Sequence, residues 1–324
     1  MASNAQSPQE RPAGSDTPDE GARTPSEPGA ADPARDAAVA ATAATGAESN
    51  PAVTGTADDE ERPRFSRALI PAVGVSVSAF LLFGLQIGWP GHVLLVASLV
   101  LAFVFDRGLF KDLLLIGIGI TIVSLTSVKA DVSWDRFITI GTVLALAVSV
   151  PFLIDRFVYK RRAIRFPFRS GKKWTLVQKS YIGLVPLLGW LILPFYFIRS
   201  GAYLNWPRIT DTSELVRFFI GVNAVGTWDE LFFICTCFAL LRRHFPVWQA
   251  NLLQATIFVS FLWELGYTAW GPLLTVPFAL LQGYIFTKTK SLTYVLIVHL
   301  TFDLVVFLAI VHAHNPDFFP FFLY

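Results

Sequence analysis

One stretch near the end of the sequence decides the fold class: residues 292–312 read LTYVLIVHLTFDLVVFLAIVH. The run is almost entirely apolar, and about 20 such residues in a helix are long enough to cross a hydrocarbon core of about 30 Å. Asp303 is its only acid, and His299 lies four positions before it. The run therefore predicts a transmembrane helix that carries a polar pair in its interior.

The same apolar character extends over most of the chain. Its 324 residues are 53% hydrophobic and only 15% charged, whereas a soluble domain carries about 25% charge. This composition excludes a soluble enzyme, a disulfide-stapled secreted domain and a coiled coil. Beyond Arg67, apolar runs of membrane-spanning length predict an all-α, polytopic transmembrane bundle. We expect about nine helices, centred near Ser78, Ala97, Gly119, Leu146, Gly189, Trp228, Phe258, Phe278 and Phe302.

The first part of the chain has a different composition. Residues 1–62 contain no Phe, Tyr or Trp and hold 12 acids against 4 bases. Such a segment cannot bury enough apolar surface to offset its chain entropy, so we expect a disordered cytoplasmic tail. The remainder divides into N-terminal helices over 63–213, with a basic loop at 156–179, and the helices of 214–324.

The distribution of Lys and Arg predicts the orientation. The basic loop holds nine of these residues, and placing it in the cytoplasm puts 18 there and five on the opposite side. The tail is then cytoplasmic and the C-terminus lies outside. We expect a multi-pass protein of a bacterial plasma membrane whose basic loop contacts membrane lipids. Nucleic acid is not an expected partner, because no folded soluble domain presents a basic surface.

Ionisable residues inside the predicted spans mark a candidate site. A charge at the bilayer centre costs about 2.5–3.5 kcal/mol, so such residues are rare and usually functional. The first five predicted helices hold none in their middles. The last four hold a cluster of acids and one histidine: Asp229, Glu230, Glu264, His299 and Asp303.

The spacing of these residues indicates which of them act together. His299 and Asp303 lie one helical turn apart, so the carboxylate can orient the imidazole and select its tautomer. Asp229 and Glu230 are adjacent and point about 100° apart. A carboxylate beside a histidine is a common arrangement for activating water. Two additional candidates are Glu264 and Asn223, of which the latter shares a helical stripe with Glu230.

These residues carry a resemblance to a known family, the CPBP (CAAX protease and bacteriocin-processing, or ABI) intramembrane endopeptidases. Residues 229–235, DELFFIC, resemble the family's first motif, E-E-x-x-F-R-G. Residues 261–265 stand where the family has F-x-x-x-H. Residues 281–303 are similar to its closing segment, in which H-x-x-x-N/D corresponds to His299 and Asp303.

The resemblance implies an all-helical bundle that hydrolyses peptide bonds near the cytoplasmic side of the membrane. Its substrates would be membrane-embedded or lipidated, for example prenylated or bacteriocin-like. Asp229 would activate the water with Glu230 beside it, and His299 and Asp303 would polarise the substrate carbonyl and hold the oxyanion. The resemblance leaves two chemistries open, a divalent metal such as zinc and a metal-free carboxylate-activated water.

Departures from the family pattern include Asp229 in place of Glu, Ile234 in place of Arg and Leu265 in place of His. Two alternatives therefore stand beside a protease. The first is an inactive pseudoprotease that binds a membrane partner. The second is a transporter or proton relay, although the sequence has no internal repeat with paired broken helices, the layout expected of many transporters.

Overall fold

The computed structural model describes residues 66–323, and within that range the chain forms helices and connecting segments without any strand. The nine helices of this range are α1 Leu69–Gly84, α2 Gly88–Phe105, α3 Arg107–Val123, α4 Trp134–Val158, α5 Leu176–Ser200, α6 Thr212–Leu241, α7 Val247–Leu265, α8 Pro272–Thr289 and α9 Leu292–His314. Each predicted centre falls inside one of them, so the predicted all-α fold is confirmed. The predicted tail, 1–62, lies outside the described residues.

The helices differ in how much of their apolar surface the protein itself buries. Five of them, α2, α4, α5, α6 and α9, are long and apolar enough to cross a membrane. Within the apolar window of each helix, 78% of α6 and 61% of α9 is buried, against 22% of α2 and 17% of α4. The chain is a multi-pass membrane protein with α6 and α9 at its centre and the less buried helices around them.

Side-chain caps fix where the two central helices begin. The Asp211 carboxylate accepts a hydrogen bond from the Glu214 backbone N–H at 2.8 Å and so caps the first turn of α6. The Ser291 hydroxyl accepts one from the Tyr294 N–H at the start of α9. These bonds satisfy N–H groups that have no partner within the helix. They set the register in which α6 and α9 present their polar residues.

The C-terminal half of α6 is not a regular α-helix. Its backbone is α-helical to Asp229 and π-helical over Glu230–Phe238. The sequence predicts one regular helix here, but the wider π-helical turn rotates the later residues away from the stripe that a regular helix would form. Short π-helical segments are frequent at functional sites. Aromatic stacking holds this one in place, with Phe233 stacked on Phe258 of α7 at 4.4 Å between ring centroids.

A network of buried charges joins the basic loop to the helix ends beside it. Asp112 of α3 is 1% exposed, and its Oδ2 accepts from Arg243 Nε at 2.9 Å and lies 2.7 Å from His244 Nε2. Its Oδ1 pairs with Arg161, whose Nε also donates to Asp155 Oδ1 at 2.6 Å. We call these five residues the basic-end network. It fastens the start of the loop to α3 and to the turn after α6.

Candidate active site

Helices α6 and α9 bring four of the predicted residues into one buried cluster. Glu230 Oε1 lies 2.7 Å from His299 Nδ1. The other imidazole nitrogen, Nε2, lies 3.8 Å from Asp229 Oδ2 and 3.7 Å from Asp303 Oδ1. None of the four residues is more than 6% exposed. We call Asp229, Glu230, His299 and Asp303 the acidic cluster.

A fifth side chain, Gln282 of α8, holds Glu230 in place. Its Nε2 donates to Glu230 Oε1 at 2.6 Å, to the same oxygen that faces His299 Nδ1. A carboxylate oxygen only accepts, so Nδ1 is the protonated nitrogen toward Glu230 and Nε2 faces the two aspartates. The sequence analysis did not select Gln282, although an amide in an otherwise apolar run indicates a polar group that needs a partner inside the bundle.

The cluster opens into a cavity of about 290 Å³. Asp229, His299 and Asp303 line it, together with mostly apolar residues of α4, α6, α8 and α9, whereas Glu230 does not. The two adjacent acids of α6 therefore differ in position. Asp229 faces the space that a substrate would occupy, and Glu230 lies behind the imidazole.

The cavity reaches one particular end of the bundle. Its walls include residues of the α3–α4 connection, such as Val128 and Val132, and Trp206 of the α5–α6 connection. Helix α4 begins at that end and runs to the basic loop at the other. The cavity thus extends from the acidic cluster away from the basic loop, toward what we call the far end.

Three carboxylate oxygens of the cluster have no hydrogen-bond partner within the described part of the chain: Asp229 Oδ1, Glu230 Oε2 and Asp303 Oδ2. A buried acceptor left unpaired costs about 1–3 kcal/mol. The separations of 3.7 and 3.8 Å around His299 Nε2 exceed a direct hydrogen bond and suit a bridging water or a substrate atom. The geometry is that of a site built to receive polar atoms.

Gly226 makes the close approach of α9 to α6 sterically feasible. A Cβ atom at this position would lie 1.8 Å from Asp303 Oδ2 and 3.3 Å from His299 Cδ2. The Phe278 ring also packs edge-on against the imidazole, at 4.9 Å between centroids. The contact with Phe278 and the close helix packing at Gly226 together limit the orientation of the histidine.

Tyr267 contributes a polar group to the cavity wall in the connection between α7 and α8. Burial raises the pKa of its phenol well above the usual range, and the nearby carboxylates of Asp303 and Asp229 add to the effect. The phenol therefore stays neutral and protonated, and it can act as a hydrogen-bond donor.

The two additional candidates lie outside this group. Glu264 Oε1 accepts the backbone N–H of Val128 at 3.2 Å and so ties α7 to the α3–α4 connection. Asn223 donates to the carbonyl of Phe219 in its own helix at 2.8 Å. Neither residue lines the cavity. Leu265, which stands in the position of the family histidine, is a buried apolar part of the wall.

The donor set does not fit a metal. Within residues 66–323, no three or more His, Cys, Asp or Glu side chains are arranged to hold a metal ion. The acidic cluster supplies one imidazole, whereas zinc favours several nitrogen or sulfur ligands. We therefore derive the chemistry of the site from the carboxylates and the imidazole alone.

Comparison with known families identifies the segment that carries the cluster. Residues 211–305 match the family model described as type II CAAX prenyl endopeptidase Rce1-like. This Rce1-like segment starts at the cap of α6, ends within α9 and includes the whole acidic cluster and Gln282. It confirms the resemblance to the CAAX protease family. No curated protein and no solved structure matches the chain.

Proposed function

We propose that the chain is an intramembrane endopeptidase that hydrolyses a peptide bond of membrane-embedded or lipidated substrates, in a bacterial plasma membrane. One observation carries the proposal. The carboxylate of Asp229 and Nε2 of His299 lie together at the wall of an apolar cavity. The other imidazole nitrogen, Nδ1, contacts Glu230, which Gln282 holds in place.

The proposed reaction uses only residues of the chain. Asp229 accepts a proton from a water molecule while the water oxygen attacks the carbonyl carbon. The carbonyl oxygen gains the negative charge. His299, which in the proposed reaction carries a proton on Nε2 as well as on Nδ1, stabilises this charge by a hydrogen bond from Nε2. The C–N bond then breaks as Asp229 returns its proton to the leaving amine. Glu230 keeps the imidazole oriented and balances its charge throughout.

A second candidate function follows from the apolar side chains at two family positions. Ile234 and Leu265 are both buried and supply no cation to the site. A pseudoprotease would use the same cavity to bind a membrane peptide without cleaving it. It predicts that binding survives removal of the Asp229 carboxylate.

The test is a cleavage assay on the full chain in lipid nanodiscs. A panel of prenylated and unprenylated peptides is incubated with the wild type, Asp229→Asn and His299→Ala, and the products are identified by mass spectrometry. We expect both variants to lose cleavage and Glu264→Gln, a matched acid outside the cluster, to keep it. Cleavage that persists in Asp229→Asn contradicts the assigned chemistry. Binding without cleavage by the wild type favours the pseudoprotease.

A further inference from the structure

One buried tyrosine of the cavity wall differs from the others in its hydroxyl. Tyr196, Tyr267 and Tyr294 are the buried tyrosines of the described range. The hydroxyls of Tyr196 and Tyr294 each donate to a backbone carbonyl at 2.8 Å. Tyr267 is only 7% exposed and lines the cavity, yet its hydroxyl has no hydrogen-bond partner within residues 66–323. Because a buried phenol usually has a partner, this hydroxyl is a donor that a ligand can use.

The connection between α7 and α8 fixes the position of the Tyr267 ring. Gly266 has a φ of 140°, which favours glycine, and it turns the chain directly after α7. A Cβ atom there would lie 2.8 Å from Trp206 Nε1. The Tyr267 ring packs parallel to Tyr196 at 6.5 Å between centroids and edge-on against Trp206 at 5.5 Å. The Tyr196 hydroxyl bonds the carbonyl of Thr268, the next residue, so the backbone is held as well.

The phenol lies beside the same carboxylates as Nε2 of the histidine. The negative charges of Asp303 and Asp229 act on Tyr267. These two residues also lie 3.7 and 3.8 Å from His299 Nε2. All four side chains line the cavity. Tyr267 and His299 therefore face one space, the first from the α7–α8 connection and the second from α9.

The proposed reaction needs a second donor in this space. Asp229 is neutralised by the proton that it accepts from water, whereas the Asp303 carboxylate stays close to the new negative charge on the carbonyl oxygen. Like charges so close in a buried site repel each other strongly. Ordered donors directed at the developing charge offset such a cost.

The other side-chain donors of the cavity wall fit this task less well. They are Trp206, Arg217 and Thr275. Trp206 Nε1 is buried against Gly266. Arg217 lies twelve residues before Asp229 in α6, about 18 Å along the helix axis. The aliphatic hydroxyl of Thr275 is a weaker donor than a phenol, and it is the competitor that an experiment has to separate from Tyr267.

We propose that Tyr267 is a catalytic residue, which donates a hydrogen bond from its hydroxyl to the carbonyl oxygen of the scissile bond together with Nε2 of His299. This inference rests on the proposed hydrolase function and adds a residue that the sequence analysis did not select. The phenol keeps its proton throughout, so it stabilises the charge without making or breaking a bond. It supplies a donor to a wall in which Leu265, two positions earlier, supplies none.

The test compares two peptide analogues that the protein cannot cleave. One labelled apolar heptapeptide carries an anionic, tetrahedral phosphinate in place of its central amide, and the other carries a neutral ketomethylene group. Both are titrated by fluorescence anisotropy into the full chain in phosphatidylcholine nanodiscs. We expect the wild type to prefer the phosphinate about 100-fold, as a site complementary to the transition state does. Tyr267→Phe should reduce this preference about tenfold, the value of one charge-assisted hydrogen bond, and leave ketomethylene binding unchanged.

Kinetics separate a catalytic role from a structural one. Removal of one oxyanion donor lowers kcat by about 10²-fold in a well-studied protease. We expect a similar loss in Tyr267→Phe, with KM and Tm unchanged. Tyr294→Phe is the matched control, because it removes the hydroxyl of another buried tyrosine, which bonds Gln178 and does not line the cavity. This variant should keep both kcat and the phosphinate preference.

Three results would overturn the inference. The first is a full phosphinate preference in Tyr267→Phe, and the second is equal weakening of both analogues, which would make the tyrosine structural. The third is a loss that appears in Thr275→Val instead of Tyr267→Phe. A wild type that binds both analogues equally and cleaves no peptide would refute the proposed hydrolysis itself. Cleavage by the wild type that persists undiminished in Tyr267→Phe would refute only the role of Tyr267.

Discussion

In the described part of the chain, buried acids lie in two places, and their hydrogen-bond partners differ between the two. In the basic-end network, both oxygens of Asp112 have cationic or imidazole partners, and Asp155 is bonded to Arg161 and to two backbone N–H groups. In the acidic cluster, three carboxylates share one histidine, and three of their oxygens have no partner within the described residues. The acids are buried to a similar extent in both places, but their carboxylate oxygens have hydrogen-bond partners in the basic-end network and partly lack them in the acidic cluster.

The difference separates a structural role from a functional one. A buried charge with all its partners fixes the relative positions of the segments that supply them. A buried acceptor without a partner destabilises the fold, and proteins retain such groups mainly where a ligand or a reaction needs them. We therefore expect changes in the basic-end network to alter stability and changes in the acidic cluster to alter activity.

The largest expected effect is on hydrolysis in Glu230→Gln. Loss of the carboxylate removes the charge that orients and balances His299, and a comparable change in a Ser-His-Asp triad lowers turnover by about 10⁴-fold. We expect about a 10³-fold lower kcat, measured by peptide cleavage, with a Tm in nanodiscs no lower than that of the wild type. If this variant unfolds, Glu230 has a structural role, and the acidic cluster and the basic-end network do not differ in the way proposed.

The next effect is on stability in Asp112→Ala. Removing this carboxylate leaves Arg161, Arg243 and His244 without their shared partner, and breaking a buried pair costs about 3 kcal/mol. We expect the free energy of unfolding in mixed micelles to fall by about that amount. Asp135→Ala, an exposed acid in the first turn of α4, should change it by less than about 0.5 kcal/mol. Equal values for the two variants would argue against a structural network.

Gly226→Ala should reduce activity by about 10²-fold. The new Cβ forces Asp303 and His299 to move, and misplacement by about 1 Å costs a rate factor of that order. Gly221→Ala is the matched control, because its Cβ would meet only Phe137 at an ordinary contact distance of 3.7 Å. Relative kcat values for the two alanine variants provide the measurement, and equal losses would mean that contact with the cluster is irrelevant.

The smallest effect is expected for Gln282→Met. This nearly isosteric change removes one of the two donors to Glu230 Oε1 and leaves His299 as the other. We expect about a tenfold lower kcat, measured by peptide cleavage, because Glu230 then holds the imidazole of His299 less firmly. A purely packing role for Gln282 would lower Tm and leave kcat unchanged.

The sequence predicted the helices well because each is an apolar run of recognisable length. Its resemblance to one family also selected Asp229, Glu230, His299 and Asp303, which the structure brings into one cluster. Their catalytic roles stay predictions. The pattern could not show that Asp229 lines the cavity and Glu230 does not, because this depends on where α9 lies relative to α6.

Other features escaped prediction for identifiable reasons. The π-helical segment depends on aromatic packing from α7, which lies outside the local sequence window. Glu264 was a candidate because it is an acid in a predicted span, yet its contact with Val128 comes from a connection more than 130 positions away. The partners of Asp112 are likewise remote in sequence, so no spacing rule finds them.

The direction in which the cavity extends has a consequence for traffic across the membrane. The cavity runs from the acidic cluster to the end opposite the basic loop. With that loop in the cytoplasm, as its charge predicts, the cavity opens toward the outer compartment, opposite to the cytoplasmic side that the family resemblance implies. A peptide would then reach the acidic cluster from the outer face of the bilayer.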